Sequence, residues 1–413
     1  MAGRDVHESH RVSTPLELLF DLTFVVAIAA SAAQLHHAAS EQHLAQGMLG
    51  FATTFFAIWW AWMNFTWFAS AYDTDDTAYR LLTMVQLVGV LVLAAGVTQA
   101  AQGHFTTVTV GYLVMRVGLV SLWLRASREH PERRQTCRRY AIGIAGVQAL
   151  WVARLALPPS WGLPSFLVLA LLEFAIPMWA EQRGHTPWHA HHIAERYSLF
   201  TIIVLGECVL GASNAVASVI QSTGWSFSAV LVGFGSASLV MALWWVYFLV
   251  PCGPALHHHR ERAFGWGYGH AFVFFSLAAL GAFLGVVADQ LKAPLVAHGG
   301  AGGAGAVADV VAGVAPTATA HPVSATYAIA LVAAAVALYL LSVWWMSQAV
   351  TRVGARLRGV WLASVVILAA VVVAVAWGLP LPWALPAITL APLLVIAVVE
   401  SGTVKRPERY AIR

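Results

Sequence analysis

The sequence predicts an all-α integral membrane protein of about twelve transmembrane helices, on three observations. Of its 413 residues, 59% are hydrophobic and 10% charged, where a soluble domain carries roughly a quarter charged residues. Apolar runs of about 20 residues, long enough to cross a hydrocarbon core of roughly 30 Å, recur from one end to the other. The runs lack the alternating polarity of a closed barrel, and lipid offers backbone amides no water, so each run must be a helix.

Taken in order, spans are expected near 16–36, 47–70, 81–101, 105–125, 139–157, 162–180, 196–219, 227–250, 266–289, 324–347, 358–378 and 382–400. Small residues follow the first run, as in a cleaved export signal, but Glu17 and Asp21 argue against one, because a signal's apolar region carries no acids. Between the spans, 126–138 reads as a basic solvated loop and 291–323 (with AHGGAGGAGAVAD) as a flexible outer loop unlikely to carry chemistry. The expected organisation is an N-terminal segment 1–15, a first half 16–180, a His-rich linker 181–195, a second half 196–400 and a basic tail 401–413. Cys137, Cys208 and Cys252 stand singly and suggest neither a disulfide framework nor a zinc site.

Charge placement orients the spans. With the N-terminus inside, 20 of the 23 basic residues fall on the cytoplasmic side, only Arg154 and Lys292 lie outside, and Arg116 falls within a span. This is the positive-inside pattern, and it places both termini in the cytoplasm. The net charge of +4 therefore reflects the membrane and not a nucleic-acid partner. Arginine outnumbers lysine 21 to 2, which hints at a GC-rich bacterial genome.

The halves resemble each other. LLFDLTFVVAIA in span 1 faces SLFTIIVLGECV in span 7, and WWAWMNF in span 2 faces WWVYFLV in span 8. WGLPSFLVLALLEF in span 6 likewise faces LPLPWALPAITLAP at span 12. Six spans is an even number, so both copies enter from the cytoplasm and the expected architecture is two parallel six-helix repeats. Shared membrane composition is the plainer explanation of the same strings.

Three strings in the first 210 residues, TPLELLFDLTFVVAIA, YDTDDTAYRLL and HHIAERYSLFTIIVLGE, together resemble the bacterial low temperature requirement A (LtrA) family. The resemblance implies a multi-pass protein of the bacterial cytoplasmic (inner) membrane with a loose association with growth in the cold. It carries over no substrate, reaction or functional residue.

Ionisable groups at membrane depth cost several kcal/mol unless paired, so they are the default candidates. Glu207, about 11 residues into its span, and Arg116 are expected at matching depths near the midplane. Arg116 should pair with an acid, Glu207 first and Asp21 or Glu173 next, either as part of a solute pathway or as a static interhelical ion pair. Glu17 and Asp21 are one turn apart and could share a proton or a cation. Glu17 is better read as an acid at a helix start, and Asp21 as the functional or paired one. Glu207, Gly211 and Asn214 form a polar stripe suited equally to a water path or a close helix contact.

Asp73, Asp75 and Asp76 beside Arg80 lack the glycine and bidentate glutamate of a calcium loop, so a salt-bridged connection is expected. Glu195 and Arg196 belong to the cytoplasmic motif that enters span 7. Among 17 histidines, His185, His189, His191 and His192 form one cytoplasmic cluster and His257, His258 and His259 another. No metal is expected, with His189, His192, His257 and His259 only weak candidates. His270, inside span 9, is a core residue before it is a proton-relay member.

There is no GxSxG elbow, Walker loop, HExxH or GxGxxG following a strand, so no cofactor, ATP-driven transport or soluble-type catalysis is expected. The best reading is a secondary transporter or ion-coupled permease for an unidentified small solute, with the lipid bilayer as its other partner. The alternatives are a non-catalytic membrane scaffold or sensor linked to growth at low temperature, and an intramembrane lipid-handling enzyme.

Overall fold

The computed structural model describes residues 1, 3–6, 8, 11–250, 252–296, 323–351 and 358–401. Among them there is no strand. The helices are α1 (Pro15–Ser40), α2 (Leu44–Tyr72), α3 (Thr77–Ala101), α4 (Thr106–Glu129), α5 (Arg134–Ala153), α6 (Gly162–Glu181) and α7 (Ala190–Thr223). They continue with α8 (Phe227–Phe248), a short α9 (Cys252–His258), α10 (Ala263–Val296), α11 (Ala325–Thr351), α12 (Arg358–Ala376) and α13 (Leu381–Glu400). Twelve of these match the expected spans one for one, and eleven segments are long and apolar enough to cross a membrane. The helix outside that group is α5, which opens on RQTCRR and so has a shorter apolar stretch. Most of the expected outer loop and basic tail, 297–322 and 402–413, lies outside the described residues.

Helix ends follow local chemistry. Thr14 and Glu17 exchange hydrogen bonds, Thr14 N to Glu17 Oε2 at 2.8 Å and Glu17 N to Thr14 Oγ1 at 3.3 Å. This capping box, with Pro15 in the first turn, fixes the start of α1. Asp76 caps α3 by accepting from Tyr79 N at 2.9 Å.

The chain forms two compact units. The first comprises Met1–Gln34, Met48–Val204 and Pro251–Ala271; the second comprises Leu35–Gly47, Leu205–Val250 and Phe272–Arg413. The unit boundaries fall inside α1, α2, α7 and α10 and between α8 and α9. Within the first unit, α3, α4, α5 and α6 pack in sequence order. The α3–α4 contact is glycine-lined: a Cβ on Gly111 would stand 2.7 Å from Gly89 O, so only glycine lets these backbones approach. Within the second unit, α13 packs on α8 and α12, and α11 on α12. Here a Cβ on Gly211 of α7 would stand 2.7 Å from Gly281 O of α10. Both contacts are backbone-to-backbone approaches, the packing that replaces hydrophobic burial where lipid is the solvent.

Candidate functional site

The first unit buries two separate charged groups. One is built on α1, α2 and α7. Glu17 and Asp21 project from one face of α1, and His192 and Arg196, also four apart, from one face of α7. Arg196 Nη1 lies 2.8 Å from Glu17 Oε1, and Arg196 Nη2 donates to Asp21 Oδ1 and to Thr66 Oγ1 at 3.4 Å. Trp62 Nε1 donates to Asp21 Oδ1 at 2.7 Å, and His192 Nε2 lies 3.2 Å from Glu17 Oε2. Glu17, Asp21, His192 and Arg196 are all 0% exposed. Asp21 Oδ2, His192 Nδ1 and Arg196 Nε lack a hydrogen-bond partner among the described residues. Trp62 stacks on Phe200 at 4.2 Å and Phe20 on Phe65 at 3.9 Å, so rings enclose the group.

The second group joins α2, α4, α5 and α6. Arg116 donates from Nη2 to Tyr112 Oη, lies over the Tyr112 ring and is 3.7 Å from Glu173 Oε2. Glu173 accepts from Trp60 Nε1 at 2.8 Å, Tyr112 Oη at 3.3 Å and Trp151 Nε1 at 3.3 Å. The expected first partner of Arg116, Glu207, is therefore replaced by Glu173, and Asp21 is taken by Arg196. Depth along the chain could not decide this, because depth says nothing about which way a side chain points around its helix. Arg196, expected in the cytoplasmic motif that enters span 7, is fully buried because α7 begins at Ala190 and not at 196, so that His192 and Arg196 lie on the helix and pack against α1. The usable signal was two one-turn pairs of opposite sign, ExxxD and HxxxR.

The same unit holds a cavity of about 410 Å³. Its wall is aromatic, with Trp67, Trp123, Tyr140, Trp188, Phe264 and Tyr268, and its polar groups include Asn64, Glu181, Thr186 and Arg260. His185 and Glu261, both exposed, mark its mouth. α2 stands between the cavity and the Arg196 group: Met63, Asn64 and Trp67 line the cavity, while Trp62 and Thr66 bond to the charged set. Beyond Tyr268, Trp60 lies 5.8 Å away and Phe174 5.4 Å, ring centre to ring centre. Trp60 leads to Glu173, and from there Tyr112 and Trp151 reach a small second cavity of about 50 Å³ beside Arg154.

The remaining candidates are dispersed. Glu207 is half-buried in the second unit without an ion-pair partner among the described residues, and its backbone lies against Gly281. Asn214 is exposed, and Gly211 of the same expected stripe forms the close helix contact with Gly281. His270 is fully buried, bonds to Trp266 O from Nδ1 at 2.9 Å and packs edge-on against Tyr197. Arg80 holds Asp75 through two bonds of 2.8 Å. Arg125 holds Asp76 through bonds of 2.7 and 2.6 Å, and with the backbone N–H of Tyr79 this keeps the Asp76 carboxyl well below its usual range.

Asp73 is buried beside Glu17 and Arg11. Burial, reinforced by the charge of Glu17 and opposed by Arg11, pushes its carboxyl up to about 6. Glu195 is half-buried next to Arg196. His189 is buried, and its Nδ1 accepts from His192 N at 3.3 Å. His191 approaches His257 with rings 5.8 Å apart, and His259 faces Glu261. Among the described residues, no three His, Cys, Asp or Glu side chains converge as a metal site.

No solved structure matches the chain. An uncharacterised protein of Rhizobium meliloti (strain 1021) is 28% identical over 257 residues, which is 60% of this chain and 59% of that protein. The chain thus spans less than two thirds of that relative's length. The model of the bacterial low temperature requirement A protein family matches residues 12–398, all but the two ends, and takes in every span described above save the last two residues of α13. The chain belongs to the bacterial low temperature requirement A (LtrA) family.

Proposed function

We propose that the protein is a proton-coupled secondary transporter of the bacterial cytoplasmic membrane, with the solute cavity and the proton-binding group both in its first unit. The observation that carries this reading is the charge count of the buried Arg196 group. Two carboxylates, Glu17 and Asp21, face one guanidinium, which leaves a fully buried set one charge negative unless it holds one more proton. Uncompensated charge is too costly to bury, so a proton resides on His192 or on Asp21. Arg11 and Asp73 at the edge of the set are of opposite sign and offset each other. Asp21 Oδ2 and His192 Nδ1, neither with a hydrogen-bond partner among the described residues, are two alternative seats for that proton, since His192 Nε2 already donates to Glu17.

A group that exchanges one proton, one helix away from a cavity large enough for a small organic solute, is the minimum equipment of a coupled carrier. In this reading the arginine-rich end, where the cavity mouth lies, faces the cytoplasm. The aromatic layer of Trp60 and Phe174 closes the path beyond the cavity floor. The test is solute-driven proton movement in proteoliposomes with an internal pH dye. Wild type should acidify or alkalinise the lumen when a solute gradient is imposed. Asp21→Asn, which keeps the bonds from Trp62 and Arg196 but cannot ionise, should abolish the proton signal. Proton movement that survives Asp21→Asn would overturn the reading.

A further inference from the structure

The lining of the 410 Å³ cavity specifies the charge of what it takes. Glu181 lies in its wall and is 8% exposed. Its carboxylate accepts from Tyr140 Oη at 3.0 Å, Thr186 Oγ1 at 2.9 Å and Thr186 N at 2.9 Å. His185 Nδ1, on a largely exposed side chain, stands 3.2 Å away. No arginine or lysine pairs with Glu181 among the described residues. This differs from the Arg116 and Arg196 groups of the unit, each of which contains an arginine in contact with its acid.

The rest of the wall is ring faces. Trp123 and Tyr140 are stacked at 4.2 Å, and Trp67 stands edge-on to Trp188 at 5.0 Å and parallel to Phe264. Arg260 at the mouth already lies 3.9 Å over the Trp188 ring, bonded to Trp188 O at 2.8 Å, so the wall receives a cation in the protein itself. That arginine is thereby engaged at the mouth, away from Glu181, while exposed Glu261 faces His259 and Arg262. At the cavity floor, Tyr268 Oη is buried and has no hydrogen-bond partner among the described residues.

We infer that this cavity binds an organic ammonium ion, its cationic head held by Glu181 and the faces of Trp67, Trp123 and Trp188, and its apolar body against Phe264 and Tyr268. An uncompensated carboxylate among aromatic faces attracts a weakly hydrated organic cation, because the ring quadrupoles add to the charge without demanding its full desolvation. An anion meets Glu181, and a neutral sugar finds too few polar groups. The inference deepens the transport reading, on which the ion's role as substrate rests. Occupancy of the cavity is measurable without transport.

The experiment is a titration of the purified full chain in detergent, read by tryptophan fluorescence and calorimetry. The ligands are benzyltrimethylammonium and phenethylammonium, with phenylpropanoate and glucose as controls. Both ammonium ions should bind saturably and compete with each other, and the controls should give no signal. Glu181→Gln should weaken binding at least tenfold with an unchanged gel-filtration profile. If that variant does not fold, Trp188→Ala replaces it, with the same expected loss. Asp21→Asn should bind as wild type does, so proton movement that survives in this variant, with binding retained, would refute the transport reading alone. Saturable binding of phenylpropanoate, no binding of either ammonium ion to folded wild type, or undiminished binding in folded Glu181→Gln would overturn the inference. Repeating the titration in phosphatidylglycerol and phosphatidylethanolamine nanodiscs identifies the source of the cation. Weaker apparent binding in the latter marks a lipid headgroup as the occupant, and equal binding marks a soluble one.

Discussion

The two buried arginines of the first unit contrast in how completely they are neutralised. Arg116 meets one acid, Glu173, whose oxygens accept three further hydrogen bonds from Trp60, Tyr112 and Trp151. Arg196 meets two acids and a histidine, and leaves one oxygen of Asp21 without a hydrogen-bond partner. The first arrangement is charge-balanced, one acid to one guanidinium, although Arg116 Nε is left without a hydrogen-bond partner among the described residues. The second, in the reading proposed above, has one proton to gain or lose and two places to keep it. Burial alone therefore does not mark a working charge; an imbalance of charge does.

This contrast can be broken by substitution, and the effects on stability should fall in a definite order. Glu173→Ala strands a buried guanidinium and should cost about 4 kcal/mol, read as a large drop in Tm in detergent. Arg116→Met with Glu173→Leu should recover most of it, because a hydrophobic pair replaces a neutral ion pair at little cost.

At the edge of the Arg196 group, Asp73→Asn should act in the opposite direction. Asp73 is raised from 3.8 to about 6 in the folded chain. Below about pH 4 it is protonated folded or unfolded, and the stability this gives is lost as pH rises through 6. The asparagine variant should therefore be more stable than wild type by about 3 kcal/mol at pH 7.5, and close to it near pH 4. Equal melting profiles across that range would show Asp73 to be ordinary.

Asp21→Asn should change Tm by no more than about 1 kcal/mol in stability, since its hydrogen bonds persist. Its effect belongs to proton movement. Glu207→Gln should fall within about 0.5 kcal/mol, as expected for a residue outside both groups.

Much of the fold was legible in the sequence. Every long helix lies where an apolar run places it, because hydropathy and length are one-dimensional properties. The partners were not legible to the same degree. Arg116 and Glu207 were matched by depth, but the partner that Arg116 meets is Glu173, brought in by α6. The YDTDD string was read as a salt-bridged connection, and Arg80 and Arg125 supply the bonds there because short-range charge pairing needs little knowledge of the fold. By sequence Arg196 belongs to the cytoplasmic motif that enters span 7, and it counts with the basic residues of the inner side. Only the longer start of α7 puts it at 0% exposure against Glu17 and Asp21. The cavity was invisible in sequence, since its rings come from α2, α4, α5, α10 and the segment before α7.

The position of α2 has a mechanical consequence. From Trp60 to Trp67, seven steps of about 1.5 Å make a rigid rod of roughly 10 Å. That rod contacts Glu173, the Asp21–Arg196 pair and the aromatic cavity in succession. Tilting such a rod by about 10° displaces one end relative to the other by roughly 2 Å, enough to make or break a hydrogen bond. A single lever thus touches three compartments, and none of them can be reshaped by its motion without the others registering the strain.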